Sequence, residues 1–332
     1  MRCVIDASLL AVSWLWQDAL PYVPHQLRHS SIVIRRSFAT HDAWTDWLPA
    51  FALPTLVLLF TPRDWPASAL MWSLAVVIFA GLKWLTWRRC DVAGAPWWRH
   101  GGYLVAWPGL DADAFLGNSN DVLAARPATG EWLIATANLL AGVLLLWFVF
   151  PHLVESYPLI AGWLGFAAIL LILHFGSFHL LSCAWRTIGV RAAPLMNNPI
   201  RSTSISEFWG RRWNTAFRDL THKHLFRPLT RWTGTRWALL IGFLFSGLVH
   251  DLVISVPAKG GYGGPTLFFM IQSLAMLIEH SPSGKKIGLG RGWRGWLYTL
   301  VTLAGPAWLL FHPPFITRVV VPFIQSLTSM SY

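Results

Sequence analysis

The chain has 332 residues, of which 55% are hydrophobic and only 12% are charged. A soluble domain usually carries about twice that share of charged residues, so the composition excludes an ordinary soluble protein. The net charge of +11 would suggest nucleic acid in a soluble protein. In an apolar chain with 22 tryptophans, it instead indicates cytoplasmic loops in contact with anionic membrane lipid. No nucleic-acid partner is therefore expected.

Apolar runs separated by polar breaks predict an all-α, polytopic integral membrane protein with about seven to nine transmembrane helices. The predicted spans are 47–62, 66–87, 132–151, 158–182, 237–256, 264–281 and 295–312, with a weaker one at 315–328. Residues 1–46 are interpreted as an N-terminal interfacial or first-span segment. No internal repeat is visible, and the chain 1–332 is treated as one membrane domain.

Basic residues are concentrated in alternate connections between the predicted spans. The segment 183–236 carries ten arginines and lysines, whereas Lys259 is the single basic residue of the turn 257–263. The positive-inside rule therefore predicts that 183–236 is cytoplasmic and that 257–263 lies on the opposite side. Within 183–236, the pair Ser204 and Glu207 matches a capping box at a helix start. The residues that come after it, 208–221, predict an amphipathic helix at the membrane surface.

The most informative residue is His250, which lies in the apolar run 237–256, 13 residues after Trp237. At 1.5 Å per residue this places it about 20 Å along a helix and well inside a bilayer. A neutral imidazole there is either a general base that accepts a hydroxyl proton or a core histidine bonded to a neighbouring helix. Asp251 points to another helix face and is expected to fix a neighbouring helix instead.

Upstream lies a dense aromatic and basic cluster that ends in an amide, formed by Phe208, Trp209, Arg211, Arg212, Trp213 and Asn214. Asn214 can orient a carbonyl or an alcohol, or it is a helix-surface asparagine. Arg211 and Arg212 can pair with phosphates, or they bind lipid headgroups. On one continuous helix Asn214 shares a face with Arg211. His174 and His179 are five residues apart and are interpreted as structural.

Three cysteines, at positions 3, 90 and 183, form no Cys-x-x-Cys pair, and no phosphate loop or nucleophile elbow is present. The sequence thus predicts no metal site and no bound cofactor. Three classes of function stay open on the residues alone. They are an enzyme that uses His250, a proton-coupled transporter or flippase that uses His250 with Asp251, and a non-catalytic membrane scaffold.

The sequence resembles the wax synthase branch of the membrane-bound O-acyltransferases. The resemblance is carried by Asn197-Asn198-Pro199, Thr203-Ser204 and the run from Glu207 to Asn214, followed by Ser246-Gly247-Leu248-Val249-His250-Asp251. The run 107–111, Trp-Pro-Gly-Leu-Asp, resembles an upstream element of bacterial members. Where Arg211 and Arg212 stand, members that act on sterols and diacylglycerol have an acidic residue and a tryptophan.

The resemblance implies acyl transfer from acyl-CoA to the hydroxyl of a lipophilic alcohol, in a bacterial inner (plasma) membrane. It implies His250 and Asn214 as catalytic residues, with acyl-CoA as co-substrate rather than a resident cofactor. It also makes Phe208, Trp209, Arg211, Arg212 and Trp213 the candidate substrate-binding residues. An apolar site is expected to exclude water and so to suppress hydrolysis of the thioester.

Overall fold

A computed structural model describes residues 43–90, 92, 94–117 and 126–329 of the chain. The predicted N-terminal segment therefore lies almost entirely outside the described residues. Contacts divide the chain into the units 1–45 and 46–332. In the described part of the second unit, all regular structure is helical.

The helices agree closely with the apolar runs of the sequence. Those of the bundle are α1 (Ala43–Phe60), α2 (Ala67–Arg88), α5 (Thr129–Val154), α6 (Pro158–Thr187), α9 (Thr235–Ala258), α10 (Gly264–His280), α12 (Gly292–Leu310) and α13 (Pro313–Ser329). The connections contain α3 (Trp97–Ala106), α4 (Ala112–Leu116), α7 (205–212), α8 (215–233) and α11 (Pro282–Lys286).

Four of the described helices, α2, α5, α6 and α9, are long and apolar enough to cross a membrane. A fifth span results if α12 and α13, which meet at a bend of 61°, together form one broken span. This count is lower than the predicted seven to nine, because α1 is shorter and α10 has only 17 residues. The chain is thus a helical integral membrane protein.

Two separate apolar cores hold the helices together. The first lies inside the bundle and includes Phe150, Ile254, Phe269 and Ile316, all buried. The second joins two connections, residues 97–117 and 190–220, to the end of α2, and it is built around Tyr103, Phe115 and Leu116. We call these two connections the motif layer, because the second of them contains the aromatic and basic cluster.

The predicted single amphipathic helix over 208–221 is wrong. Helix α7 ends at Arg212, Trp213 is extended, and Asn214 adopts a left-handed conformation with φ 43° before α8 begins at Thr215. The break is fixed by backbone pairing with an earlier stretch: Asn197 N–H donates to the Arg212 carbonyl and Thr215 N–H to the Leu195 carbonyl. Arg211 and Asn214 therefore do not share a helix face.

Candidate active site around His250

His250 is half-buried, and it is the last α-helical residue of α9 before the helix widens into a π-type turn. Its Nδ1 lies 2.7 Å from the Ser246 carbonyl oxygen. Because a carbonyl can only accept, Nδ1 carries the hydrogen in this bond, and the neutral ring then has its lone pair on Nε2. Nε2 has no partner among the described residues. The next residues, Asp251–Ser255, form a π-type turn, a local widening that is frequent at functional sites.

Asp251 does not act together with His250. Its carboxylate accepts hydrogen bonds from Ser255 Oγ at 2.8 Å, from Gly263 N–H at 2.9 Å and from Thr266 N–H at 3.1 Å, as well as from the Thr266 hydroxyl. Ser255 belongs to the same helix as Asp251, and the other three donors lie at the beginning of α10, where backbone N–H groups otherwise lack partners. The expectation that Asp251 fixes a neighbouring helix is confirmed.

Helix α10 connects the histidine to the aromatic and basic cluster. The Phe269 ring of α10 lies 4.5 Å from the His250 ring and 5.5 Å from the Trp209 ring, measured between centroids. At the other end of α10, Glu279 accepts from Ile205 N–H at 2.6 Å and from Ser206 Oγ at 3.0 Å. A buried carboxylate thus caps α7 and sets the position of the cluster relative to the bundle.

The start of α7 matches the predicted cap in part. Ser204 Oγ accepts from the Glu207 N–H at 2.8 Å, as a capping box requires. The Glu207 carboxylate, however, accepts from Thr203 N–H at 2.8 Å and pairs with Arg212, whose Nε is 2.8 Å away. Partial burial raises the pKa of Glu207, but the bonds from Thr203 and Arg212 outweigh this and hold that pKa below its usual value.

The two arginines of the cluster have different environments. Arg212 is bonded to Glu207, and its Nη1 also donates to the carbonyls of Asn197 and Asn198. It therefore joins both sides of the loop that carries Asn214. Arg211 is exposed, and no hydrogen bond or ion pair of its side chain occurs among the described residues.

Asn214 occupies a backbone conformation that few residue types tolerate. Its φ of 43° and ψ of 63° lie in the left-handed region, where asparagine and glycine are favoured. The backbone N–H contacts Met196 Sδ at 3.3 Å. The side-chain amide makes no hydrogen bond within the described part of the chain. It thus keeps its donors and its acceptor for another molecule.

The aromatic residues of the cluster form a continuous stack toward the histidine. Trp213 stacks on Phe208 at 5.4 Å, Phe208 contacts Trp209 at 5.0 Å, and Trp209 contacts Phe269, which lies against His250. The indole N–H of Trp209 is buried and has no hydrogen-bond partner. An indole N–H in this state is able to donate to an oxygen of another molecule.

Two residues of this site were missed as site residues by the sequence analysis. Phe269 gives no signal beyond being apolar, since its position between Trp209 and His250 depends on how two helices pack. Glu279 had a signal: a carboxylate near the end of an apolar run is costly and is kept for a bond or a function. Here the bond is the cap on α7.

An open groove of about 540 Å³ lies beside this site, between α9 and α10. Its lining is mainly apolar and includes Leu248, Tyr262 and Leu267, with Asp251 and Thr266 as polar members. Leu248 and Asp251 lie two residues before and one residue after His250 on the chain. The groove therefore offers an apolar surface close to the histidine helix.

The structure also brings Glu131, His179 and Cys183 together, with their candidate ligand atoms within 4.8 Å of one another. Arg186 occupies the same cluster: its Nη2 is 2.5 Å from Glu131 Oε2 and 3.6 Å from Cys183 Sγ. A metal ion there would face a guanidinium, so the arrangement does not suit one. We interpret the cluster as a partly buried ion pair that holds α5 against α6.

The run 107–111, which resembles an upstream element of bacterial members, lies in the core of the motif layer. Trp107 and Leu110 are buried, and the Gly109 carbonyl accepts from Lys83 Nζ at 2.5 Å. Lys83 Nζ also lies 3.5 Å from the centre of the Tyr103 ring. The run is therefore a structural element that connects the motif layer to α2.

The part of the chain that contains this site is similar to known proteins. Residues 192–271, which contain the cluster and His250, match the membrane bound O-acyl transferase family. Over 112 residues the chain is 33% identical to a long-chain-alcohol O-fatty-acyltransferase of Simmondsia chinensis, covering 30% of this chain and 32% of that protein. Over 143 residues it is 27% identical to a probable long-chain-alcohol O-fatty-acyltransferase 7 of Arabidopsis thaliana, covering 39% and 42%.

These matches span less than half the length of either relative. They agree with the motif-based resemblance, and the family match extends over the whole cluster, over α8 and α9 and over the first part of α10. The resemblance is therefore confirmed as a similarity: the part of the chain that carries the candidate site matches the membrane bound O-acyl transferase family, and the two relatives are long-chain-alcohol O-fatty-acyltransferases by name.

Proposed function

We propose that the protein is an O-acyltransferase that moves an acyl group from acyl-CoA to the hydroxyl of a lipophilic alcohol. The observation that carries the proposal is the state of His250. Its Nδ1–H is engaged by the Ser246 carbonyl, so Nε2 holds a lone pair for a proton. A base with this fixed tautomer suits general-base catalysis.

The reaction needs only groups that the chain supplies. Nε2 of His250 accepts the hydroxyl proton while the alcohol oxygen bonds to the thioester carbonyl carbon. The carbon–sulfur bond then breaks, the thiolate leaves, and the proton on Nε2 passes to the sulfur. The thioester already contains a good leaving group, so no resident cofactor or metal enters this scheme.

The charge that develops on the carbonyl oxygen requires hydrogen-bond donors. The buried and unpaired indole N–H of Trp209 is one candidate, and the free amide of Asn214 is another. Phe208 and Trp213, which stack on each other, supply apolar surface for the acyl donor. Exposed Arg211 is the candidate for phosphates of CoA. Arg212, bonded to Glu207, would act mainly by holding the loop.

A lipophilic acceptor is supported by the surroundings of the histidine. The groove between α9 and α10 is lined mainly by apolar side chains, and Phe269 packs on the imidazole. Each methylene of an alcohol buried there would contribute about 0.8 kcal/mol, whereas a sugar would lose its bonds to water. The matched relatives are named for long-chain alcohols.

We further propose that α1 and α10 are also embedded in the membrane, which brings the count to the lower end of the predicted seven to nine. The motif layer would face the cytoplasm of a bacterial inner membrane, where CoA is available. Single cysteines at Thr221 and Tyr262, in a protein without Cys3, Cys90 and Cys183, should label from opposite sides. Labelling from one side would reject this topology.

The transporter alternative is not favoured, because Asp251 already accepts four hydrogen bonds, three of them from the start of α10. The direct test is to give the purified protein acyl-CoA and a series of alcohols, and to measure CoA release and the ester product by mass spectrometry. Ester formation should rise with alcohol chain length up to a steric limit. Transfer to a soluble polysaccharide alone would reject the lipophilic acceptor, and no CoA release with any alcohol would reject the enzyme.

A further inference from the structure

The motif layer contains a buried arginine that the reaction scheme does not use. Arg99 of α3 is only 7% exposed. Two of its donor nitrogens, Nε and Nη2, are buried and have no hydrogen-bond partner. Arginine keeps its charge under all physiological conditions, so this is a charged group held away from water without the bonds that normally compensate it.

A second arginine, Arg191, is near enough to act on the charge of Arg99. The residues on either side of Arg191, Val190 and Ala192, are both buried in the apolar core that contains Tyr103. Tyr103 follows Arg99 by one turn of α3. Nη2 of Arg191 lies next to Gly117, at the end of α4. Burial lowers the pKa of the Arg99 guanidinium, and the positive charge of Arg191 lowers it further. The two like charges therefore repel each other.

The described carboxylates of this layer are engaged elsewhere. Asp111 accepts from the Ala114 N–H at 2.9 Å, and Asp113 pairs with Lys223 at 2.6 Å. Glu207 pairs with Arg212, and Asp219 pairs with Arg218. Two neighbouring arginines, one of them buried with free donors, are thus left without a compensating carboxylate among the described residues.

We propose that Arg99 and Arg191 form a binding site for a phosphate group. A phosphate would accept hydrogen bonds from the buried Nε and Nη2 of Arg99 in the paired geometry that a guanidinium favours. It would also remove the repulsion between the two charges. The phosphate comes either from the soluble acyl donor, an identification that rests on the proposed function, or from a lipid headgroup. The site is separate from Arg211 and Arg212.

The test is a binding measurement on the full-length protein purified in neutral detergent, with the melting temperature as readout. Three probes are compared: inorganic pyrophosphate, CoA, and phosphatidylglycerol added to the micelles. A ligand that binds only the folded protein raises Tm as its occupancy increases. The variants are Arg191→Gln, Arg99→Met, and the control Arg231→Gln, which removes an exposed arginine of α8 and the same single charge.

Pyrophosphate should raise the Tm of the unmodified protein and of Arg231→Gln. Its apparent Kd should be about tenfold or more weaker in Arg191→Gln and Arg99→Met, the loss expected for one charge-assisted contact. Arg99→Met without ligand should melt no lower than the unmodified protein, because the substitution removes an uncompensated buried charge. If Arg99 instead had a partner within the protein and a structural role, Arg99→Met without ligand would melt at a lower temperature than the unmodified protein.

The probes separate the two sources of the phosphate. Stabilisation by CoA that is lost in both variants identifies the acyl donor, and stabilisation by phosphatidylglycerol with none by CoA identifies a lipid headgroup. The proposal is overturned if no probe raises Tm, or if Arg231→Gln loses as much affinity as Arg191→Gln. Because pyrophosphate binding needs no turnover, an inactive protein that still shows this pattern would reject acyl transfer and keep the site. An active protein that does not show this pattern of pyrophosphate binding would reject the phosphate site and keep acyl transfer.

Discussion

Two charged groups of the bundle, Asp251 and Glu279, have hydrogen-bond partners within the chain, whereas the buried charge of Arg99 in the motif layer does not. Asp251 accepts one hydrogen bond from Ser255 of its own helix and three from the start of α10, and Glu279 caps α7. In the motif layer, Arg99 retains two buried donors without a partner. Both regions exclude water, so the cost of an unpaired group is high in each.

This difference separates residues that build the fold from residues that are left for a ligand. A buried group with all its bonds made within the chain stabilises one arrangement of helices, and its removal is expected to disturb that arrangement. A buried donor without a bond destabilises the empty protein, and this cost is relieved when a ligand oxygen accepts a hydrogen bond from it. Trp209, whose buried indole N–H has no partner, is also a residue of the ligand-binding kind, although it lies at the edge of the bundle.

The largest effect is expected for His250→Ala. Removing a general base lowers turnover by about 10²–10⁴-fold, while the fold should persist because the imidazole bonds only to its own helix at Ser246. The matched control is His280→Ala, since His280 also bonds four residues back, to Met276 at 2.8 Å, but does not stack on Phe269. Near-normal turnover in folded His250→Ala protein would falsify the assignment of the base.

Trp209→Phe tests the unpaired indole. It keeps an aromatic ring against Phe269 but removes the orphan N–H together with part of the indole, so the Tm should fall slightly, as in any change of a packed side chain to a smaller one. If that N–H stabilises the carbonyl oxygen in the transition state, kcat should fall by about 10²-fold with little change in either KM.

Trp163→Phe is the control for Trp209→Phe, because Trp163 packs in the bundle against Phe166 and Phe311. Equal loss of kcat in the two tryptophan variants would mean that Trp209 acts through packing alone.

The bundle could be predicted from the sequence because apolar length is a local property. The run 237–256 became the helix Thr235–Ala258, and 158–182 became Pro158–Thr187. Asp251, one residue from the histidine, was also placed correctly, since adjacent helical residues face different ways. The number of spans stays a prediction, because α10 is apolar like a span but has only 17 residues.

The motif layer could not be predicted in the same way. Nothing between 208 and 221 breaks a helix strongly, and the break at Asn214 is imposed by backbone bonds to Leu195 and Asn197. The roles of the arginines depend on the same distant contacts. Arg212 and Arg211 are adjacent in sequence, but only Arg212 reaches the carbonyls of Asn197 and Asn198.

Two substitutions separate the role of the Asn214 backbone conformation from the role of its side chain. Asn214→Gly tolerates a φ of 43°, so the loop should keep its conformation and the Tm should stay unchanged. Asn214→Ala must hold an alanine in the left-handed region, which costs roughly 1–2 kcal/mol. If the amide orients a substrate, both variants lose activity and only the alanine variant melts earlier. Normal activity in Asn214→Gly would reduce Asn214 to a conformational role.

Arg212→Ala is expected to act on stability. It removes the partner of Glu207 and two bonds to backbone carbonyls, each of them a bond to a charged donor. Because the pair is partly exposed, a loss of about 1–3 kcal/mol is expected rather than the larger cost of a buried pair. Thermal denaturation should show a lower Tm, and kcat should fall with it. An unchanged Tm with a raised KM for acyl-CoA alone would return Arg212 to the substrate-binding residues.

The smallest effect is expected for Arg211→Ala. Arg211 is exposed and has no partner among the described residues, so the Tm should be unchanged. One exposed charge next to a phosphate contributes about 0.2–1 kcal/mol, which corresponds to a rise in the KM for acyl-CoA of up to about fivefold. The KM for the alcohol should stay constant, because the alcohol carries no charge. The effect should disappear in high salt, since exposed charges are screened there.

Equal rises in both KM values would show that Arg211 acts on the loop and not on a phosphate. The phosphate-binding role would then fall to Arg99 and Arg191.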